Sequence, residues 1–447
     1  MNYRSWACRG LVSLLLFATY PLSAQTPPTA QPLTLQQAWQ QAEVHNHDIE
    51  LQRRQVGISE ELVQDRAAQR LPKVEAGGEY AYLAGLYAFE PNAGLHHGEA
   101  VPVPPGPHAY NVHLDASLNL YSGGRVKKQI EEQHLSAEVE TERLHLTQND
   151  VRLRVALAYL DLQRNLANQQ LADNSIRESE KRLRQIQALF RRGVVLRSDV
   201  LRAELQHSRQ QLLLTEIKNN ITLANQRLNL LLGAPEEQLN QPAPEILPTG
   251  GPAVPTDYAA SAAQAQQAPE LKIAGLQTKI SENKLEQTEA AKKPHVGAFA
   301  EYGYTYPNRL VFPNVAQIYS IGQVGVRVGY DLSAHYIDRH AEKAAALTVQ
   351  RQQVAEQAAL DRKKEEVNTA YVRYQETQER IRVAEQSIRQ AAENYRIVNS
   401  TYFNQLALLT DLLDADNQLL QARIDLVTAQ TQAAAHYYQL QKALGQL

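Results

Sequence analysis

Asp411 and Asp414 stand three positions apart in the stretch LLTDLLDAD, Leu408 to Asp416, which carries three carboxylates just after an apolar run. Residues three apart share one face of a helix, so this pair could act as acid and base, as cation ligands or as a charged surface. The first two uses need partners that the sequence does not supply. Thirteen histidines form no recurrent ligand set: His96 and His97 are adjacent in a Pro-rich stretch, and His335 and His340 have the wrong spacing for one helix face. There is no Gly-rich phosphate loop and no nucleophile elbow. The sequence predicts no catalytic residue, no metal site and no cofactor. A structural role is open too: Thr410 as a helix cap, with Asp411 and Asp414 at the positive end of the helix, worth ~0.3–1 kcal/mol each. Asp199 follows Ser198 in the same way.

The elements that position these residues begin after a leader. Arg4 and Arg9, the apolar stretch Leu11 to Tyr20 and the Pro21 to Ala24 segment read as a signal peptide over residues 1–24. The only cysteine, Cys8, precedes the apolar stretch and is lost on cleavage, which leaves no disulfide. The remaining 43 basic residues against 48 acidic ones give a net charge of −5, which argues against a nucleic-acid partner. Beyond the leader, no apolar run reaches the ~18 residues of a membrane-spanning helix.

The rest is one pattern written twice. Asp48-Ile49, Pro72, Glu79-Tyr80 and Tyr82 recur 222 positions later as Glu270-Leu271, Pro294, Glu301-Tyr302 and Tyr304. Val155, Ala158-Tyr159, Ser198-Asp199 and Leu232-Gly233 recur 212 positions later as Val367, Ala370-Tyr371, Thr410-Asp411 and Leu444-Gly445. The ten extra residues of the first copy fall between Ala84 and His108, a stretch holding Pro102, Pro104, Pro105 and Pro107 that reads as an extended loop. The expected division is a first repeat over 25–240, a Pro-rich linker over 241–255 and a second repeat over 256–447.

Each copy switches between two periods. Tyr110, Val112, Leu114, Ala116, Leu118 and Leu120 alternate with polar residues, as do Val324, Val326, Val328, Tyr330 and Leu332, which predicts strands with one dry face. Strands are expected over about 73–83, 109–121, 295–306 and 318–332, one hairpin per copy. The flanking sequence is rich in helix formers and has no proline between Pro107 and Pro235 or after Pro313. A helix from about Val126 to Phe190 would be ~95 Å long and needs coiled-coil partners. Four strands cannot close a barrel alone, and an open edge in lipid leaves backbone groups unsatisfied. Several chains combining into a membrane barrel is one reading, with tyrosines at the water boundary. A soluble β-sandwich on a periplasmic coiled-coil adaptor or scaffold is the alternative.

The plan of helix, hairpin, long helix, tip turn and helix, written twice, resembles the TolC-like outer membrane factors (the outer membrane efflux proteins) over essentially the whole chain after the leader. The local motifs match: Leu120-Tyr121-Ser122-Gly123-Gly124-Arg125, Gly193 with Ser198-Asp199-Val200-Leu201, and Thr410 to Ala415. The resemblance implies a mainly α fold with β: four strands per chain, a twelve-stranded outer-membrane barrel in a homotrimer, and a periplasmic α-helical coiled-coil barrel. It implies a passive exit duct of a tripartite efflux or type I secretion system, not an enzyme. Its partners are a periplasmic adaptor, an inner-membrane pump and outer-membrane lipid. Drug efflux, metal-ion efflux and protein secretion share this architecture.

The resemblance also assigns residues. Asp411 and Asp414 would place six carboxylates at the narrow periplasmic mouth, attracting cations. Tyr402 and Asp199 match a gate link whose arginine is replaced here by Ala407, with Arg192 or Arg197 as candidate substitutes. Two tips, about 191–198 and 403–410, are the adaptor contacts: Arg192, Gly193 and Val194 in the first, Gln405 and Leu406 in the second. Gln405 stands where the family usually has glycine.

Overall fold

The computed structural model describes residues 32–82, 86–88, 99–101, 106–244, 265–307 and 316–447. The expected signal peptide, most of the stretch 84–108 and most of the linker 241–255 lie outside the described residues. In chain order the elements are α1 (Leu35–His45), α2 (His47–Ala68), β1 (Lys73–Tyr82), β2 (Leu86–Ala88), β3 (Glu99–Val101), β4 (His108–Ser122), α3 (Arg125–Arg191) and α4 (Arg197–Leu232). After a short 3-10 turn at Ala265–Gln267 come α5 (Pro269–Ala290), β5 (His295–Tyr306), β6 (Tyr319–Gly329), α6 (Ala334–Ile337), α7 (Arg339–Phe403) and α8 (Leu409–Ala443).

Local chemistry sets the helix starts. Thr34 and Gln37 form a reciprocal cap on α1, each side chain accepting the other's backbone N–H at 3.2 and 2.9 Å. Asn46 caps α2 by accepting the Asp48 N–H at 3.0 Å, and its amide donates to the Leu231 carbonyl at 3.0 Å. With 67 and 65 residues, α3 and α7 are each ~100 Å long at ~1.5 Å per residue. Neither has a broad apolar face, so each is held along narrow seams: α3 by α2, α4 and α5, and α7 by α5 and α8. Polar rungs fill those seams, among them Thr278 donating to Glu356 at 2.7 Å and Gln287 donating to Glu132 at 2.6 Å. Buried Lys363 is held between Glu270 and Glu366, at 3.1 Å from each.

Apolar burial is concentrated in separate clusters. One joins α1 to α4 through Ala38, Ala42, Ile49, Val155, Leu162, Leu228 and Leu232. Another gathers Ile186, Val200, Ala203, Tyr402, Leu409 and Leu412 beside the helix tips. Gly233 ends α4 at φ 65°, and a Cβ there would lie 2.9 Å from the His45 carbonyl oxygen, so only glycine fits.

The four main strands form one antiparallel sheet in the order β1-β4-β5-β6, with β1 and β6 as open edges. Register places Tyr110 opposite Tyr306, Leu114 opposite Tyr302 and Ala300 opposite Val324, so the apolar residues of neighbouring strands share one face.

Three sequence expectations are corrected. The stretch read as an extended loop contains a small ribbon, β2 paired antiparallel with β3, because Pro91 and the prolines from Pro102 on all fall outside the two strands. The last strand ends at Gly329 rather than at 332: the Asp331 side chain accepts the Ser333 N–H at 2.9 Å and turns the chain. The start of the linker is docked, since Gln241 accepts from the Leu33 N–H at 2.8 Å and Ala243 donates to the Tyr159 hydroxyl at 2.9 Å.

Candidate functional site

The two tip turns have the same backbone. At the end of α3, Gly193 N–H donates to Phe190 O at 2.9 Å and Val194 N–H to Leu189 O at 3.0 Å. At the end of α7, Gln405 N–H donates to Tyr402 O at 2.8 Å and Leu406 N–H to Thr401 O at 2.9 Å. This paired closure of a helix needs a left-handed residue after the cap, and Gly193 (φ 73°) and Gln405 (φ 65°) supply it. Gln405 is the one non-glycine residue with positive φ among the described residues. Both tips expose apolar side chains: Val194 and Leu196 in the first, Leu406 and Leu408 in the second, with Arg192 and Gly193 exposed beside them.

The helices that leave the tips are capped by their aspartates, not by Ser198 or Thr410. Asp199 accepts the Leu196 N–H at 3.3 Å and Asp411 accepts the Leu408 N–H at 3.2 Å. Each carboxylate is at the third position of its helix, where it also meets the positive helix end. Ser198 and Thr410 are the second residues of their helices, two positions past the capping residues Leu196 and Leu408. Asp411 and Asp414 are both exposed on α8.

Tyr402 is buried in the tip cluster against Phe403, and its hydroxyl has no hydrogen-bond partner among the described residues. Burial raises its pKa and the nearby Asp199 charge adds to the effect. The structure thus brings Tyr402 and Asp199 close without bonding them within one chain. Ala407 packs on the same cluster, and Arg197 lies over the Phe190 ring, 5.9 Å from its centre.

The sheet supplies the other surface. Its apolar face is uncovered: Val112, Leu114, Tyr302, Val324, Val326 and Val328 are each about half exposed or more, Val324 at 86%. No helix among the described residues is long and apolar enough to cross a membrane. Nor does any group of three or more His, Asp or Glu side chains among them suit a metal ion.

Residues 38–234 match the outer membrane efflux protein family. A comparison with curated protein sequences finds no match. Among solved structures, the outer-membrane channel OprN superposes with a TM-score of 0.75 at 19% identity, over 92% of this chain and 89% of that one. The outer membrane protein VceC of Vibrio cholerae gives 0.73 at 17% identity, over 92% and 96%. The open state of the Neisseria gonorrhoeae outer-membrane channel MtrE gives 0.70 at 19% identity, over 92% and 88%. The chain has the fold of these outer-membrane channels.

Two features of this chain were missed in its sequence. The first is the third carboxylate of LLTDLLDAD. Asp416 is buried and forms a two-pronged pair with Arg182 of α3, both bonds 2.8 Å. Arg182 also donates to the Tyr395 hydroxyl of α7 at 3.1 Å, and Gln210 of α4 donates to Asp416 at 3.5 Å. Burial works against the Arg182 charge, but Asp416 and Tyr395 outweigh it and raise its pKa. Removing one partner would strand the other's charge, a cost of about 3–5 kcal/mol. Helical geometry alone puts Asp416 about 200° around from Asp414, but nothing local points to a partner 234 positions away.

The second is a row on the polar face of the sheet: Glu75 lies opposite Asp115, Asp115 opposite Glu301, and Glu301 opposite Gln323. Like charges directly opposite are destabilising. Lys73 reaches Glu75 at 2.5 Å, His113 reaches Asp115 at 3.3 Å, and Gln323 donates to Glu301. The row exists only once the register is known.

Proposed function

We propose that this chain is an outer-membrane exit duct of a tripartite efflux or type I secretion system, a passive channel rather than an enzyme. Three copies close a twelve-stranded barrel in outer-membrane lipid, and their long helices continue it as a tunnel into the periplasm, where an adaptor and an inner-membrane pump engage the tips. The observation that carries this is the four-stranded sheet with an uncovered apolar face and two open edges. In lipid such edges must be paired, and copies of the same chain provide matching ones. A soluble adaptor would leave that face in water at ~25 cal/mol per Å². The two repeats, 25–240 and 256–447, each supply one hairpin and one pair of tunnel helices.

In this reading Asp411 and Asp414 form the acidic periplasmic mouth, with Tyr402 and Asp199 beside it as gate residues. Their exposure on α8, next to a capped tip, supports this. Arg192, Gly193, Val194, Gln405 and Leu406 meet the adaptor. The test is single-channel recording in a planar bilayer, with reversal potentials across a salt gradient, for wild type and Asp411→Ala, Asp414→Ala. A cation-selective pore whose selectivity falls in the variant is expected. Well-folded protein that neither inserts nor conducts would refute the duct.

A further inference from the structure

We propose that Arg182 is a positioning residue for the acidic mouth: through Asp416 it fixes the rotation and height of α8, and with them the side on which Asp411 and Asp414 project. This rests on the reading of those two aspartates as pore-lining. Asp416 is two residues beyond Asp414 and therefore on the opposite side of the helix. A fixed Asp416 thus dictates where the other two point.

The node is built to specify position. Four helices meet there: α3 gives Arg182, α4 gives Gln206 and Gln210, α7 gives Tyr395 and α8 gives Asp416 and Asn417. It joins the helical hairpin of the first tip to that of the second, one turn from Ile186 and Leu412 of the tip cluster. That cluster is apolar and tolerates sliding or rotation at small cost, since apolar contact has no direction. The planar guanidinium accepts a carboxylate in one orientation only. Gln206 adds a second link, donating to Asn417 at 2.5 Å. The Tyr395 hydroxyl accepts from Nη2 of the arginine, which also donates to Asp416, and its ring lies under the guanidinium, 5.8 Å from the guanidinium carbon to the ring centre.

The experiment uses the full chain in detergent. Spin labels are placed at Ser198→Cys on α4 and at the exposed Gln418→Cys on α8 in a Cys8→Ser background, with labelled chain diluted in unlabelled chain so that distances within one chain dominate. The variants are Arg182→Met with Asp416→Leu, which keeps the site filled and leaves no stranded charge, and the exchange Arg182→Asp with Asp416→Arg. Circular dichroism checks that each is folded. The apolar pair is expected to broaden the distance distribution or displace it by up to about one helical turn, ~5 Å, and to lose cation selectivity toward that of Asp411→Ala, Asp414→Ala. The exchanged pair is expected to narrow the distribution again. A folded apolar pair with the wild-type distance peak overturns the positioning role, whatever the channel does. A displaced peak with wild-type selectivity also overturns it, provided Asp411→Ala, Asp414→Ala does change selectivity. If that control changes nothing, the pore-lining reading fails, and the distance measurement alone decides whether Arg182 sets α8.

Discussion

Gln405→Gly is expected to stabilise the second tip, and Gly193→Gln to destabilise the first by a similar amount. The two turns close with the same pair of backbone bonds and nearly the same left-handed φ, 65° and 73°. A left-handed residue with a Cβ costs about 1–2 kcal/mol. Glycine removes that strain but gains freedom in the open state, which returns about 0.4–1 kcal/mol. The net gain is therefore ~0.8 kcal/mol, a factor of about four in the local opening equilibrium. No heavy atom lies within 4 Å of a Cβ built at Gly193, so packing does not enter the comparison there. Hydrogen exchange read by mass spectrometry on peptides spanning 401–408 and 189–196 measures the opening directly. Protection should rise about fourfold in Gln405→Gly and fall by a like factor in Gly193→Gln. Unchanged or lowered protection in Gln405→Gly would refute the strain.

Gly123→Ala should be far more damaging, because the Cβ would lie 2.6 Å from the Ala290 carbonyl oxygen at φ 67°. Left-handed strain and overpacking together predict a loss of about 2–5 kcal/mol, read as a lower unfolding temperature and a lower yield of folded protein. Asp411→Asn should separate the two roles of that residue: the side chain can still accept the Leu408 N–H, so stability should fall by no more than about 1 kcal/mol by denaturant unfolding, while bilayer recordings show weakened cation selectivity. Tyr438 has its pKa pushed up to about 12 by burial, then by the charges of Tyr437 and Tyr159. The neutral ring is favoured in the fold, so the contribution is complete below about pH 10, the unfolded value, and is lost as pH rises through about 12. Tyr438→Phe should therefore flatten the alkaline fall in stability between those values and remove one late-titrating tyrosine from the absorbance curve.

Strands and long helices were legible because their signals are local. Alternation in 110–120 needs no distant partner, and the absence of proline after Pro313 permits α7 and α8 without saying what they pack on. The tip was legible in part. Thr410 and Ser198 looked like caps by residue type, but the chain enters each helix at Leu408 and Leu196, which moves the capping role to Asp411 and Asp199. What lay beyond reach was everything set by pairing between distant segments: Asp416 with Arg182, the Glu75, Asp115 and Glu301 row, and the docking of Ala243 on Tyr159.

The uncovered face of the sheet bears on how the proposed duct would reach a membrane. Its apolar residues are interleaved with glycine and polar ones, as in Val324-Gly325-Val326-Arg327-Val328. Stretched out, this stretch puts its valines on one side but leaves its backbone N–H and C=O groups unpaired, and no helix among the described residues is apolar enough to cross a bilayer instead. The strands can therefore enter lipid only once neighbours pair and satisfy one another's backbone groups. In the proposed duct, a translocase that halts on long oily helices would find none among the described residues to stop at, and the first bilayer the strands could enter would be the one where they fold.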